Sequence, residues 1–208
     1  MRSPADRLVA ELRGSVRDER VLSAVRAVPR PLFVPEALLR EAWDNVALPI
    51  GSGQTISQPL VVARMCELLE LDGTERVLDV GTGSGYHAAL LARLAREVHS
   101  IELHAELSER AARALAAAGA AVHLAVGDGC RGLPEHAPYD AINVAAAARG
   151  GVPPALAEQL APGGRLVAPV EDDDGDQHLA LLREHGGELV KTRLDRVRFV
   201  PLVASGPG

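Results

Sequence analysis

Gly81-Thr82-Gly83-Ser84-Gly85 follows one short apolar run and precedes another, the pattern of a strand-to-helix turn able to hold a polar ligand. Glycines there permit positive φ angles and close backbone approach, while the following helix presents unpaired N–H groups and the positive end of its dipole. Asp79 stands just before the first glycine. Glu102 ends the next apolar run about twenty residues on, where nucleotide-binding α/β folds place a carboxylate that accepts hydrogen bonds from ribose hydroxyls. Gly127-Asp128-Gly129 closes the run after that with a second acidic turn. The glycines alone also suit a tight turn with no ligand; the placement of Glu102 weighs against that. All three carboxylates are expected to converge at one sheet edge. No Gly-Lys-Ser/Thr follows the turn, which excludes a P-loop. Ser84 lies outside the Gly-x-Ser-x-Gly frame of a nucleophile elbow. Tyr86 takes the place of the third glycine of a dinucleotide fingerprint, which disfavours a pyrophosphate and hence a nicotinamide dehydrogenase.

The elements that must position these residues alternate. Apolar runs predict strands near Val77 to Val80, Val98 to Ile101, Val122 to Val126, Ala141 to Val144 and Arg165 to Val170. Between them, 3.6-residue periodicity predicts helices near Tyr86 to Ala95, Ala105 to Ala118 and Pro154 to Leu160. Strands alternating with helices imply a Rossmann-like, doubly wound α/β fold with a mostly parallel sheet. Leu179 to Leu182, Leu189 to Thr192 and Val197 to Val203 read as further strands, forming an antiparallel C-terminal edge. Upstream, two short amphipathic helices are expected between Asp6 and Val28, broken at Gly14. The proline-rich Val28 to Pro35 reads as an extended connector, followed by a short helix near Glu36 to Trp43. Leu48-Pro-Ile-Gly-Ser-Gly-Gln-Thr-Ile-Ser-Gln-Pro59 reads as a long functional loop, with Ser57 or Gln58 near the cap of a helix that begins at Pro59 and reaches Leu69. The expected organisation is one domain over 1–208: a helical extension and loop over 1–60, a nucleotide-binding core over 74–170 and terminal strands over 171–208.

Composition bounds the partners. The 208 residues are 47% hydrophobic but only 2% aromatic, so the core must be built from Ala, Leu and Val. With 22 basic and 28 acidic residues the formal charge is -6, and no Lys/Arg block suggests a nucleic-acid surface. Cys66 and Cys130 show no CxxC spacing, no charged and cleavable leader is evident, and no apolar run reaches the ~18 residues of a membrane span. A soluble, cytoplasmic monomer is expected. The seven histidines form no HxxxH or HxH pattern, so no metal is expected, and most are assigned to the surface or the sheet edges. The acidic run from Glu171 to Asp176 lacks EF-hand spacing and reads as a solvated hairpin loop.

The tight Asp-x-Gly-x-Gly-x-Gly turn resembles motif I of class I S-adenosylmethionine-dependent methyltransferases, with Glu102 and Gly127-Asp128 matching their ribose and adenine elements. Over almost its whole length the chain is similar to the protein-L-isoaspartate (D-aspartate) O-methyltransferase family. Leu48 to Pro59 is the most specific segment; Val28 to Pro35, Val77 to Tyr86, Ala137-Pro-Tyr-Asp-Ala-Ile142, Pro162 to Val170 and Arg198-Phe-Val-Pro-Leu202 support it. The resemblance implies S-adenosylmethionine as methyl donor, S-adenosylhomocysteine as product, no metal, and isoaspartyl proteins and peptides as partners. It implies that Ser57 is the active-site serine and touches substrate, and that Gln54, Thr55 and Ile56 lie against the cofactor. Asp79, Gly81, Gly83, Ser84, Glu102, Leu103, Gly127 and Asp128 are the remaining cofactor-binding positions it implies, and Val200 is the implied backbone contact for the peptide. Two positions depart from the family pattern. Ser52 stands where histidine is frequent, and Asn45 stands where aspartate is common; both changes bear on loop support or peptide preference.

A carboxylate with a pKa near ~4 is ionised at neutral pH, so methylating it needs no general base. The enzyme has to hold one oxygen in line with the methyl group and exclude water. Ser57 suits the orienting of that carboxylate; the competing reading makes it an ordinary helix N-cap worth ~1 kcal/mol. By resemblance, the ester then closes to a succinimide without enzyme help, and hydrolysis returns part of the damage to aspartate. Two other readings are a peptide-tailoring methyltransferase that esterifies ordinary aspartate and a noncatalytic cofactor-binding module.

Overall fold

Ser3 and Asp18 cap the first two helices in a computed structural model that describes residues 2–204, so Ser205 to Gly208 lie outside the described residues. Those helices are α1 (Pro4–Leu12) and α2 (Glu19–Ala27), as their apolar spacing predicts, and Leu8, Leu12, Leu22 and Val25 point inward. The connector is not fully extended: Arg30–Phe33 form a 3-10 turn, and so do Glu36–Glu41. Proline at the second position of the first turn supplies a preset φ and needs no backbone donor there.

The segment read as a long loop is an antiparallel hairpin of β1 (Leu48–Gly51) and β2 (Gln54–Ile56), followed by α3 (Pro59–Leu68). Gly51, Ser52 and Gly53 all have positive φ at its tip. Then come β3 (Arg76–Val80), α4 (Tyr86–Leu94), β4 (Glu97–Glu102), α5 (Ala105–Ala117), β5 (His123–Val126), β6 (Tyr139–Val144) and β7 (Ala148–Arg149). The chain ends through α6 (Pro154–Ala157), β8 (Leu160–Glu171), β9 (Gln177–His185) and β10 (Glu188–Arg196). The helix expected to reach Leu160 stops at Ala157, because the Gln159 carbonyl already accepts from Tyr139 N–H at 2.8 Å and Leu160 pairs with β6.

The large sheet runs β10-β9-β8-β6-β3-β4-β5, parallel from β8 to β5 and antiparallel at β8, β9 and β10, with β7 paired to β8. The chain leaves β3 toward β4 and β5, then returns to β3's other side as β6. That reversal opens a crevice at the carboxyl ends of the strands. Residues alternate between two core layers: Val77, Ala141, Val167 and Leu179 face the layer that holds α1 to α4, whereas Leu78, Ile142, Leu166 and Ala180 face the other. The segment Val197 to Val203 is not a strand. It crosses the strand ends, held by Ala147 N–H to the Val200 carbonyl and Leu202 N–H to the Ala147 carbonyl, both 2.8 Å, on either side of Pro201, which has no donor of its own. Among the described residues no helix is long and apolar enough to cross a membrane.

One buried cation binds the N-terminal segments to this scaffold. Arg30 is 0% exposed. Its Nη1 donates to the carbonyls of Ala42 at 2.7 Å and Asp44 at 3.3 Å, and its Nη2 to those of Val46 at 3.0 Å and Ser57 at 3.2 Å. The guanidinium also lies 5.6 Å from the Tyr86 ring centre. Removing it strands several carbonyls and leaves a cavity, so Arg30→Ala is expected to lose roughly 3–5 kcal/mol of stability. Urea unfolding measures this; a loss under about 1 kcal/mol would contradict the role given to the fork.

Candidate functional site

The glycine turn sits at the crevice. Gly81, Gly83 and Gly85 all have positive φ, and a Cβ on Gly85 would stand 3.2 Å from Ala111 Cβ and Leu115 Cγ, so glycine is what lets α4 and α5 pack closely. Glu102, only 6% exposed, secures the turn: one carboxylate oxygen accepts from Gly83 N–H at 2.8 Å and the other from His104 N–H at 3.0 Å. A carboxylate offers about four lone-pair positions, so both oxygens keep capacity for ligand hydroxyls.

Asp79 sits behind the turn, not in the cavity. It is 0% exposed and pairs in register with Ser100 on β4 and Asn143 on β6. Ser100 Oγ donates to it at 2.8 Å and Asn143 Nδ2 at 2.7 Å, and Ser100 Oγ is 2.6 Å from Thr82 Oγ1, so the network reaches the turn. Burial pushes the Asp79 carboxyl up to about 6, its two hydrogen bonds pull it down, and the charge on Glu102 adds to the rise.

A cavity opens over the turn. Gly81, Gly83 and Ser84 form its floor, Glu102 and Leu103 one side, and Gln54, Thr55, Ile56 and Ser57 the hairpin side. The Val200 segment closes the far wall together with Ala145 and Ala146. Gly127 and Asp128 are not among the lining residues; Gly129 is, and the Asp128 carboxylate accepts from Cys130 N–H at 2.9 Å. Thus the structure brings together Gln54 to Ser57, Gly81, Gly83, Ser84, Glu102, Leu103 and Val200, and leaves Asp79, Gly127 and Asp128 outside the lining. The three carboxylates stand at the carboxyl ends of the adjacent parallel strands β3, β4 and β5, as expected, and of the three only Glu102 lines the cavity.

Ser57 is not the N-cap of α3. Gln58 holds that position without a side-chain bond, and Asn45 Oδ1 accepts from Leu60 N–H at 3.0 Å instead. Asn45 Nδ2 also donates to Glu11 at 2.8 Å, a bond that an aspartate there cannot make. Ser52 Oγ binds the Glu106 carboxylate, tying the hairpin tip to α5. Among the described residues the Ser57 hydroxyl has no hydrogen-bond partner, while its carbonyl is held by Arg30. Ser57, Thr55, Ala145 and Val200 also line an adjoining groove that extends along Asn45 to Ala47 and Arg196 to Phe199.

His87 lies in the cavity wall, buried, an exception to the surface or sheet-edge placement expected of most of the histidines. Burial lowers its imidazole to about 3, so it is neutral. Nδ1 lies 3.2 Å from Asn143 Nδ2, which assigns the ring proton to Nε2, a buried atom without a protein partner. No chain spacing announces this residue; only the packing of α4 on β6 does.

Comparison with known proteins points to one family. Residues 3–206 match the sequence profile of the family described as Protein-L-isoaspartate(D-aspartate) O-methyltransferase (PCMT). A protein-L-isoaspartate O-methyltransferase 1 of Anaeromyxobacter sp. is 55% identical over 195 residues, 92% of each chain. A protein-L-isoaspartate O-methyltransferase of Chromobacterium violaceum is 54% identical over 192 residues, 90% of this chain and 84% of its own. Among solved structures, a protein-L-isoaspartate O-methyltransferase superposes with a TM-score of 0.87 at 29% identity, across 97% of this chain and 66% of that one. A Plasmodium falciparum protein described as such an enzyme, in complex with S-adenosyl-L-homocysteine, superposes with a TM-score of 0.83 at 25% identity, across 97% and 99%.

The Asp79 network has a pH signature. Because its pKa rises from 3.8 to about 6 on folding, the folded state holds the proton more tightly than the unfolded chain. The stability this contributes is complete below pH 3.8 and is lost as pH rises through about 6. Asp79→Asn cannot ionise. Its stability relative to the parent is expected to climb by on the order of 2–3 kcal/mol across that window, read from urea unfolding at stepped pH. A flat difference would show that Asp79 does not titrate there.

Proposed function

The chain belongs to the protein-L-isoaspartate(D-aspartate) O-methyltransferase family, and from that premise we infer that it moves a methyl group from S-adenosylmethionine to the free carboxylate of L-isoaspartyl or D-aspartyl residues in damaged proteins and peptides. The observation that carries this reading is a shared wall: Ser57 and Val200 line both the cavity over the glycine turn and the groove beside it. A donor in the cavity and a peptide in the groove meet across those two residues.

The cavity suits the donor. Glu102 retains lone pairs for ribose hydroxyls, Leu103 and Ile101 give apolar surface for an adenine, and the neutral His87 lines the same space. When bound, S-adenosylmethionine supplies an electrophilic methyl group on a sulfonium. The remaining work belongs to the chain. Gln54, Thr55 and Ile56 cover the reacting centre and keep water from it. The free Ser57 hydroxyl donates to one substrate oxygen and leaves the other to be aligned for attack. Val200's carbonyl is taken by Ala147, which fixes the segment and leaves its N–H for the peptide backbone. Arg198 adds positive charge to the groove, matching a substrate that carries a carboxylate.

Transfer of labelled methyl to an isoaspartyl peptide and to its aspartyl twin tests the substrate. Label is expected on the isoaspartyl peptide alone. Transfer to the aspartyl twin would favour peptide tailoring, and donor binding without turnover on either would favour a noncatalytic module.

Ser57→Ala isolates the positioning role. Loss of one hydrogen bond to a charged group is worth roughly 1.5–3 kcal/mol, so kcat/KM should fall roughly 10–100-fold. Stability should change by less than about 0.5 kcal/mol, since the hydroxyl caps no helix. Full activity in a folded Ser57→Ala protein would remove Ser57 from the reaction.

A further inference from the structure

Three imidazoles and a carboxylate, none of them lining the cavity, gather around β4 and β5. Glu97 opens β4, two residues before His99, so both side chains project from the same face. His123 opens β5 and is the register partner of His99, which brings it alongside. The His99 ring lies between those of His123, at 4.8 Å and 23°, and His136, at 4.3 Å and 27°. His99 is only 4% exposed, whereas His123 is exposed. One ligand atom from each of Glu97, His99 and His123 lies within 4.8 Å of the others.

We propose that Glu97, His99 and His123 form a binding site for one divalent transition-metal cation of the zinc, nickel or copper class, outside the methyl-transfer centre. Two imidazole nitrogens and a carboxylate oxygen are a donor set that such borderline cations prefer, with a fourth position for water or for His136. Magnesium and calcium take oxygen donors and are a poor match.

The surroundings hold two of the three ligands, Glu97 and His99, in place. Arg76 Nε binds one Glu97 oxygen at 3.0 Å, leaving the other, 2.8 Å from His99 Nε2, directed at the cluster. On binding, the cation takes the place of the proton between His99 Nε2 and Glu97; in the neutral ring that proton moves to Nδ1, and in an imidazolium, where Nδ1 already carries a proton, it is released to solvent. His99 is fixed by burial between two rings. His123, at the surface, turns about its side-chain bonds to aim its lone pair, a motion that costs little in an exposed residue. The bound ion would join β4 to β5, the four-residue edge strand of the sheet, and so raise the thermal midpoint through preferential binding to the folded state.

The inference does not rest on the methyl-transfer reading, because metal binding alone tests it. The whole chain is stripped with chelator and titrated with zinc by calorimetry and with cobalt by visible absorption. To remove a competing thiol, the titration is run in a Cys130→Ser background. The expected result is one saturable zinc site per chain, a tetrahedral cobalt spectrum and no response to magnesium. His123→Ala, a surface change that should leave folding and methyl transfer intact, is expected to weaken zinc at least about tenfold. Absence of saturable zinc binding, or zinc affinity unchanged by His123→Ala, would overturn the proposal.

Discussion

The whole N-terminal third depends on a buried guanidinium that, among the described residues, forms no ion pair with a carboxylate. Arg30 is surrounded by main-chain carbonyls from two separate stretches of chain and by the face of Tyr86, the first residue of the helix after the glycine turn. Burial lowers its pKa from the ordinary 12.5, opposed by the nearby Tyr86 and Asp44. Lysine could not replace it, since a point charge lacks the planar fork that reaches several carbonyls at once. The cost of desolvation is offset only if all those carbonyls stay in place, so the segments 42–46 and Ser57 are coupled to one another through a single side chain. Ser57 is therefore held by its backbone, and its hydroxyl is left without a partner among the described residues.

A second constraint lies beneath the turn. Parallel register sets Asp79, Ser100 and Asn143 side by side on three strands, and Ser100 passes the contact to Thr82 within the turn itself. A carboxylate with full burial and two neutral donors stays ionised near neutrality only because the network is complete. The turn is thus braced from below by Asp79 and from the side by Glu102. Two carboxylates that look equivalent along the chain divide the work: one supports the backbone, the other also faces the space above it.

How much of this was legible follows from which interactions are local. The parallel core was readable because buried strands are continuous apolar runs and the glycine turn has only one conformation that suits it. The residues along Leu48 to Pro59 marked a functional segment, yet its hairpin was hidden, since Gly51-Ser52-Gly53 signals a loop as readily as a turn between strands. Val197 to Val203 has the apolar content of a strand; what excludes it is the docking of Pro201 against Ala147, a contact about fifty residues distant in sequence and invisible to periodicity. Local spacing placed Gln58 at the cap of α3, as found, but the side chain that accepts from Leu60 N–H belongs to Asn45, fifteen residues upstream and equally invisible to periodicity. His87 and the Glu97, His99 and His123 cluster were hidden for the same reason. Their neighbours come from other strands, and chain spacing carries no trace of register.

The proposed chemistry also explains why a neutral side chain stands at the shared wall. The reactants are an anion and a sulfonium, and their charges cancel as the methyl group moves. A cation at position 57 would bind the ionised substrate strongly and its neutralising transition state less strongly, which deepens the ground state and raises the barrier. A hydroxyl gives direction with little of that penalty. Positive charge is useful farther out, where it draws in the peptide without touching the reacting oxygen, and that is where Arg198 lines the groove, beside an Arg196 already paired with Asp176. The division between a neutral orienting group and a distant cationic rim is the arrangement that charge-neutralising transfer favours.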